Sequence, residues 1–245
     1  MTKKIIETKG DVVGETNLRT IADADKFNRW MYETIKPFCR SNVFEIGSGI
    51  GNISRFFLND GYKIQLTDLR KEYCENLNRK LASEPNVIGV ERMDIVDENF
   101  DQKYVSHFNK YHTVFALNVV EHIENDLLAL NNAYKLLKKG GKLIILVPAY
   151  QFLFNRFDKE LGHYRRYTST SLQKIFSEAK FKVVHQQYFN LTGIFGWFFS
   201  GKILNKKTIP KGQMNIYNKL VPVFKIIDKM TLNNMGLSVI VVGEK

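Results

Sequence analysis

The chain has 245 residues, 44% of them hydrophobic and 13% aromatic, with 25% charged and a formal net charge of +11. That is enough apolar material for one large core and too little chain for two independent ones. Two cysteines, Cys39 and Cys74, exclude a disulfide framework. They read as reduced thiols, and with charges where a signal peptide would carry its apolar run the expectation is a cytoplasmic protein. The charge is uneven: residues 1–150 hold 21 Lys+Arg against 20 Asp+Glu, whereas residues 151–245 hold 15 against 5. A neutral half and a basic half suggest that the second faces something anionic, a carboxylate, phosphate, acidic peptide, RNA or lipid surface.

Residues 1–20 are polar and weakly patterned, and read as an arm. Over 23–38, Phe27, Trp30, Met31 and Ile35 fall at helical spacing and stop at Pro37. Residues 43–52 then organise everything that follows. A short β-branched and aromatic run containing Glu45 leads to Gly47, Ser48, Gly49 and Gly51, after which Ile53, Phe56 and Phe57 open a helix. A strand turning into a helix through a loop almost without side chains marks a cofactor crevice at the carboxyl end of a parallel strand. The third glycine falls one residue early for a dinucleotide fingerprint. The E-x-G-x-G-x-G pattern instead resembles motif I of the class I methyltransferases, which bind S-adenosyl-L-methionine and release S-adenosyl-L-homocysteine. That cofactor carries a sulfonium cation and no phosphate, which suits an acidic Glu45 beside the loop.

A second strand over 62–66 ends at Asp68, about 20 residues beyond the loop, where a carboxylate can accept both ribose hydroxyls and Leu69 follows it. A helix through Tyr73, Leu77 and Leu81 leads to a third strand over 87–90 and then to Met93, Asp94 and Ile95. In the resembled family an aspartate at Asp94 takes the adenine amino group while the residue after it, here Ile95, packs on the ring. The fourth strand, 112–117, ends in Asn118, Val119, Val120, Glu121 and His122, which should line the meeting place of donor and acceptor. Methyltransferases of exocyclic base amines carry a proline-rich segment there, and this chain does not. Its Val-x-Glu-His resembles small-molecule O- and C-methyltransferases such as the ubiquinone-pathway enzymes. Asp126 should cap the next helix, closed by Gly140 and Gly141, before a fifth strand over 142–148.

The basic half opens with a loop holding Asp158, His163, Arg165, Arg166 and Tyr167. Its Gly-His-x-Arg-Arg-Tyr is similar to a segment of the bacterial type 11/12 methyltransferases. Loops on a rigid scaffold commonly carry substrate contacts, though Asp158 could equally close the loop through a salt bridge to Arg165 or Arg166. A helix from Ser169 or Thr170, a strand over 181–188, an aromatic and lysine-rich insertion over 190–235 and a last strand over 237–242 complete the chain. Within the insertion, Ile216, Leu220, Phe224 and Ile227 predict a helix bent near Pro222.

The resemblance implies an α/β fold, a doubly wound seven-stranded, mostly parallel, Rossmann-like methyltransferase sheet with a helical and aromatic insertion before the last strand. One domain should span 1–245: an arm and lid helix (1–40) whose Trp30 and Tyr32 could cover the cofactor, a cofactor-binding half (41–150) and a basic acceptor-binding half (151–245). The expected cofactor contacts are Glu45, Gly47, Ser48, Gly49, Gly51, Asp68, Leu69, Asp94, Ile95, Asn118 and Val119. The expected catalytic group is His122, His163, Arg165, Arg166 and Tyr167, with His122 or His163 as base and the arginines gripping an anionic small molecule or peptide for O-methylation, carboxylate slightly ahead of phenol. RNA, or a non-catalytic adaptor that keeps the fold, is the lesser reading. Membrane contact ranks lower still, because the apolar stretches are short and interrupted. Oligomeric state stays open. No metal is expected, since the five histidines share no ligand spacing.

Overall fold

In the computed structural model, residues 20–199 and 211–245 are described; all but the last residue of the expected arm over 1–20, and the lysines at 202, 206 and 207, lie outside them. Seven strands form one sheet: β1 (Val43–Ile46), β2 (Ile64–Asp68), β3 (Val87–Arg92), β4 (Tyr111–Leu117), β5 (Leu137–Pro148), β6 (Lys182–Phe189) and β7 (Ser238–Glu244). Their order is β3-β2-β1-β4-β5-β7-β6, parallel except that β7 runs antiparallel between β5 and β6. The order reverses between β1 and β4. The carboxyl ends of those two strands therefore splay around a crevice, the place where open α/β sheets bind ligands.

The central strands are near-continuous hydrophobic runs because both faces of the sheet are covered. Alternate residues go to opposite cores. Phe44, Val114, Leu143, Ile145 and Val241 join one, whereas Val43, Phe115, Ile144, Leu146 and Val242 join the other. The first core is closed by α5 (Asp126–Leu136) and α7 (Ser169–Glu178). The second is closed by α1 (Asp25–Ile35), α2 (Ser54–Asn59), α3 (Lys71–Leu81) and the long α9 (Lys211–Met230). Short helices α4 (Phe100–Lys103), α6 (Arg156–Glu160) and α8 (Leu191–Trp197) lie in the connections.

Several expectations are corrected. Asn125, not Asp126, caps α5, accepting from the Leu128 amide. Asp126 is turned inward. The start of α7 at Ser169 is as expected, and Thr168 caps it in a reciprocal pair with Ser171. Trp30 and Tyr32 are core residues rather than a cover over the cofactor: the Trp30 ring lies 4.4 Å from that of Phe189, and Tyr32 stacks on Phe56 while its hydroxyl donates to Asp60. Among the described residues no helix is long and apolar enough to cross a membrane.

The insertion helix α9 runs through Pro222, but its inward face differs from the expected stripe. Met214, Tyr217, Val221, Phe224 and Asp228 turn toward the protein, and Ile216 and Leu220 turn outward. Both stripes are apolar, so periodicity alone could not choose. Polar contacts decide. Asn218 accepts from the Phe27 amide (3.0 Å), Lys225 pairs with Glu33 (2.6 Å), and buried Asp228 accepts from the Asn190 and Leu191 amides (2.6 and 2.9 Å). This fastens α9 to α1 and to the start of α8.

Candidate active site

The loop after β1 takes its shape from its neighbours. Gly47, Gly49 and Gly51 all have positive φ, at 73°, 56° and 84°, a region that L side chains disfavour. A Cβ at Gly47 would come 2.5 Å from Val119 Cγ2, and one at Gly51 would meet Leu77 and Leu81 of α3 at 3.0 and 3.1 Å. Two of the three glycines thus let the chain pass close to the tip of β4 and to α3. The third brings an amide to a carboxylate: Gly49 N donates to Asp68 Oδ2 at 2.9 Å.

Asp68 ties the first two strand ends together. Its other oxygen accepts from the Arg70 amide (2.9 Å), and its own carbonyl accepts from the Met93 amide (3.0 Å), which brings the segment bearing Asp94 alongside. Burial raises the pKa of Asp68 against the opposing pull of the Arg70 and Gly49 amides. Each of its oxygens keeps acceptor capacity beyond the amide it already holds. Exposed Leu69 follows it with an apolar face, and exposed Asn118, in the left-handed region at φ 54°, stands across the loop with Val119. Ser48 is buried, its hydroxyl accepting from the Thr67 amide at 3.2 Å.

Two of the expected cofactor residues, Glu45 and Ile95, are also engaged within the fold. The buried Glu45 carboxylate accepts from the Ser54 hydroxyl at the start of α2, so it braces the loop from below. Burial pushes its pKa up to about 7, the Ser54 and Ser48 hydroxyls opposing and nearby Asp68 adding to the rise. Ile95 sits in the core with Met93 and Phe100, and only its backbone is engaged, its carbonyl accepting from Asn132 at 2.8 Å. A hollow of about 400 Å³ lined by Lys36, Asp60 and Tyr62 lies at the amino end of β1 and contains none of these residues.

Beside the tip of β4, the loop that follows β5 folds over Glu121. Tyr164 N donates to the Glu121 carbonyl (2.8 Å), and His163 Nδ1 lies 2.9 Å from Asp158 Oδ1. His163 Nε2 points toward Glu121 Oε1 at 4.0 Å, and the His122 and His163 rings meet edge to face at 4.6 Å. Neither carboxylate oxygen of the fully buried Glu121 has a hydrogen-bond partner among the described residues. Burial pushes its pKa up to about 7, with His163 and Arg166 drawing it back and Asp158 adding to it. The pKa of His122 is lowered by desolvation first and by His163 and Arg70 next. Because this residue keeps an exposed surface, water tempers the first of these, and the imidazole is neutral at neutral pH.

The two arginines go to different carboxylates. Arg166 is buried, its Nε donating to Asp158 Oδ1 (2.8 Å), its Nη1 to the Ala149 carbonyl (3.1 Å), and its guanidinium lying 4.7 Å over Trp197. Arg165 is held by Asp126 Oδ2 (2.7 Å) and the Glu124 carbonyl (2.8 Å), and the buried Tyr167 hydroxyl donates to the same Asp126 oxygen at 2.9 Å. Arg165 and Tyr167 thus tie their loop to the start of α5, and Arg166 ties it to α6 and to the end of β5. Burial also holds the Tyr167 pKa far above the phenol range. The member that sequence reading left without a role is Glu121. Its signal was present: an acidic residue at the carboxyl end of a central strand beside a histidine. Folding brings ligand atoms of Glu121, His122 and His163 within 4.8 Å of one another, a closeness that the spacing of the five histidines does not express. The three form a group that could hold a cation as well as a proton.

A family model described as a methyltransferase domain matches residues 34–186. The chain belongs to the methyltransferase-domain family. Among solved structures, the methyltransferase resembles an S-adenosylmethionine-dependent methyltransferase from Archaeoglobus fulgidus (15% identity, TM-score 0.58, 89% of this chain and 94% of that one). It also resembles phosphoethanolamine N-methyltransferase 2 from Haemonchus contortus, solved with S-adenosyl-L-methionine (16% identity, TM-score 0.63, 99% and 61%). A curated relative, the lovastatin diketide synthase of Aspergillus terreus, is 29% identical over 141 residues, and the match covers 52% of this chain and 6% of that protein. The methyltransferase thus spans a small fraction of the curated relatives it matches. Its cofactor is S-adenosyl-L-methionine, and the crevice fits it. Asp68 presents an acidic acceptor beside the glycine turn, and exposed Leu69 offers an apolar face next to it.

Proposed function

We propose that this methyltransferase acts on a protic oxygen acceptor, a phenol or enol ahead of a carboxylic acid, and that Glu121 and the two histidines receive the acceptor's proton. The observation that carries this reading is the fully buried Glu121 carboxylate, without a hydrogen-bond partner among the described residues and facing His163 next to the β4 tip that touches the glycine turn. The bound cofactor supplies a methyl group on a good leaving group, so alignment in a dry site carries much of the rate. What the chain must add is proton removal. Asp158 fixes the His163 ring through Nδ1 and leaves Nε2 on the side of Glu121 at 4.0 Å, so carboxylate and imidazole flank one space into which a proton can be delivered. Neutral His122, open to solvent on one side, is the member placed to meet the acceptor. With both arginines committed to Asp126 and Asp158, the case for a carboxylate gripped by a guanidinium fork loses its donors, which moves phenol ahead.

An amine acceptor is the second reading, favoured by the same uncompensated carboxylate, which would draw an ammonium as readily as it takes a proton. The two separate in one assay. Radiolabelled methyl groups are followed onto a panel of phenols, carboxylic acids and amines. An ether survives mild alkali, a methyl ester releases volatile methanol, and a methylated amine keeps its charge. Glu121→Gln and His163→Gln should each lower kcat about 100-fold or more, the scale of acid–base assistance, with cofactor affinity unchanged. Full turnover in both variants would refute the proton-accepting role.

A further inference from the structure

The outward stripe of α9 has no cover among the described residues. Ile216, Leu220, Val223, Ile226 and Met230 recur at three- and four-residue spacing and are 43–77% exposed. The stripe runs about 20 Å along the helix at 1.5 Å per residue. Leu232 and Met235 extend the exposed apolar surface beyond it, and α8, which is bonded to α9 through Asp228, exposes Phe195. Single exposed apolar residues are ordinary, whereas a contiguous run on one helix marks an interaction surface.

Charge selects the occupant. Residues 190–235 contain seven lysines and one acidic residue, Asp228. That carboxylate is buried and occupied by two backbone amides, so it offsets nothing at the surface. Lys219 and Lys229 are exposed on the same helix. A second copy of the chain packed on this face through a two-fold axis would bring like charges together. An apolar stripe with a lysine border and no exposed acid on its own helix instead matches an anionic lipid headgroup layer over acyl chains, the exposed Glu33 of neighbouring α1 being paired with Lys225. We infer that α9 is an interfacial helix which seats this methyltransferase peripherally on an anionic phospholipid surface. The inference stands apart from the acceptor reading, although Trp197 at the end of α8 rests on Arg166 and so places the docked face next to the acceptor loop.

The full chain is to be co-sedimented with phosphatidylcholine vesicles with and without phosphatidylglycerol, at rising salt. Binding should require phosphatidylglycerol and weaken as salt rises. Ile216→Ser and Val223→Ser should each reduce partitioning about ten-fold, from the burial free energy of one aliphatic side chain, and Lys219→Gln with Lys229→Gln by a similar factor. Cofactor titration of each variant reports that the fold is kept. No sedimentation with phosphatidylglycerol vesicles, equal binding to neutral ones, or an Ile216→Ser/Val223→Ser variant that binds like wild type would overturn the inference. So would light scattering that shows a dimer dissociated by that double variant.

Discussion

Replacing Arg166 by alanine separates two accounts of the Arg165-Arg166 pair. If Arg166 held the acceptor, R166A would fold normally and lose only turnover. In the structure its side chain is 1% exposed and that of Asp158 is 0%, so solvent screening does not weaken the pair. Truncation removes the Nε bond to Asp158, the Nη1 bond to the Ala149 carbonyl and the stacking on Trp197, and leaves Asp158 and Glu121 as two buried carboxylates near one imidazole. Breaking a buried pair by removing one partner costs about 3–5 kcal/mol. For a chain of this size about 2–4 °C of melting temperature goes with each kcal/mol, so R166A should melt roughly 10 °C below wild type. Urea unfolding followed by circular dichroism measures the free energy directly. Arg166→Lys should recover part of it, since a lysine can meet Asp158 but cannot fork to Ala149 as well. An R166A unfolding free energy within about 1 kcal/mol of wild type would refute the assignment of Arg166 as a strut and restore it as a candidate acceptor contact.

Gly47→Ala should destabilise the fold by about 1–3 kcal/mol and weaken cofactor binding, because the new Cβ meets Val119 in a left-handed backbone. Adding Val119→Ala should relieve the clash but not the backbone strain, so calorimetric recovery must be incomplete; full recovery would show that φ is irrelevant. Asp68→Asn should lower cofactor affinity about ten-fold or more by titration calorimetry, through loss of a charge-assisted acceptor; unchanged affinity would remove Asp68 from the cofactor site. Glu121 has a folded pKa raised to about 7, so its protonated form is favoured by folding. That contribution is fully present below about 4.5 and disappears as pH rises through about 7, a loss of roughly 3 kcal/mol. Glu121→Gln should flatten the decline in denaturation free energy between those values, and an unchanged slope would contradict the burial argument. Asp158 runs the other way. Burial works to raise its pKa, but His163 and Arg166 hold it below the usual carboxylate value, so its stabilisation is lost only as pH falls into the acid range.

Residues near in sequence carried the cofactor half. Strand, glycine turn and helix are local patterns, and the acidic residue ending the second strand sits at a distance fixed by one βαβ unit. Gly47, Gly49, Gly51 and Asp68 could therefore be read from the chain, and the structure joins Gly49 to Asp68 by a hydrogen bond. Sequence could not say what those glycines accommodate, since Val119 and Leu77 are brought there only by the sheet and by α3. The acceptor half depended on pairings between distant residues. Arg165 and Arg166 are adjacent in the chain and go to different carboxylates, Asp126 and Asp158, because each lies on a different element. Glu121, His122 and His163 become one cluster only when the loop after β5 folds back over the tip of β4. The two apolar stripes of α9 were equivalent by periodicity, and contacts from Phe27, Glu33 and Asn190 chose which one faces the protein. Local pattern determined the fold class and the cofactor turn because their chemistry is written in backbone conformation and hydrophobic period. Tertiary structure decided which charges are partners and which are free, because an ion pair depends on who arrives beside it in space.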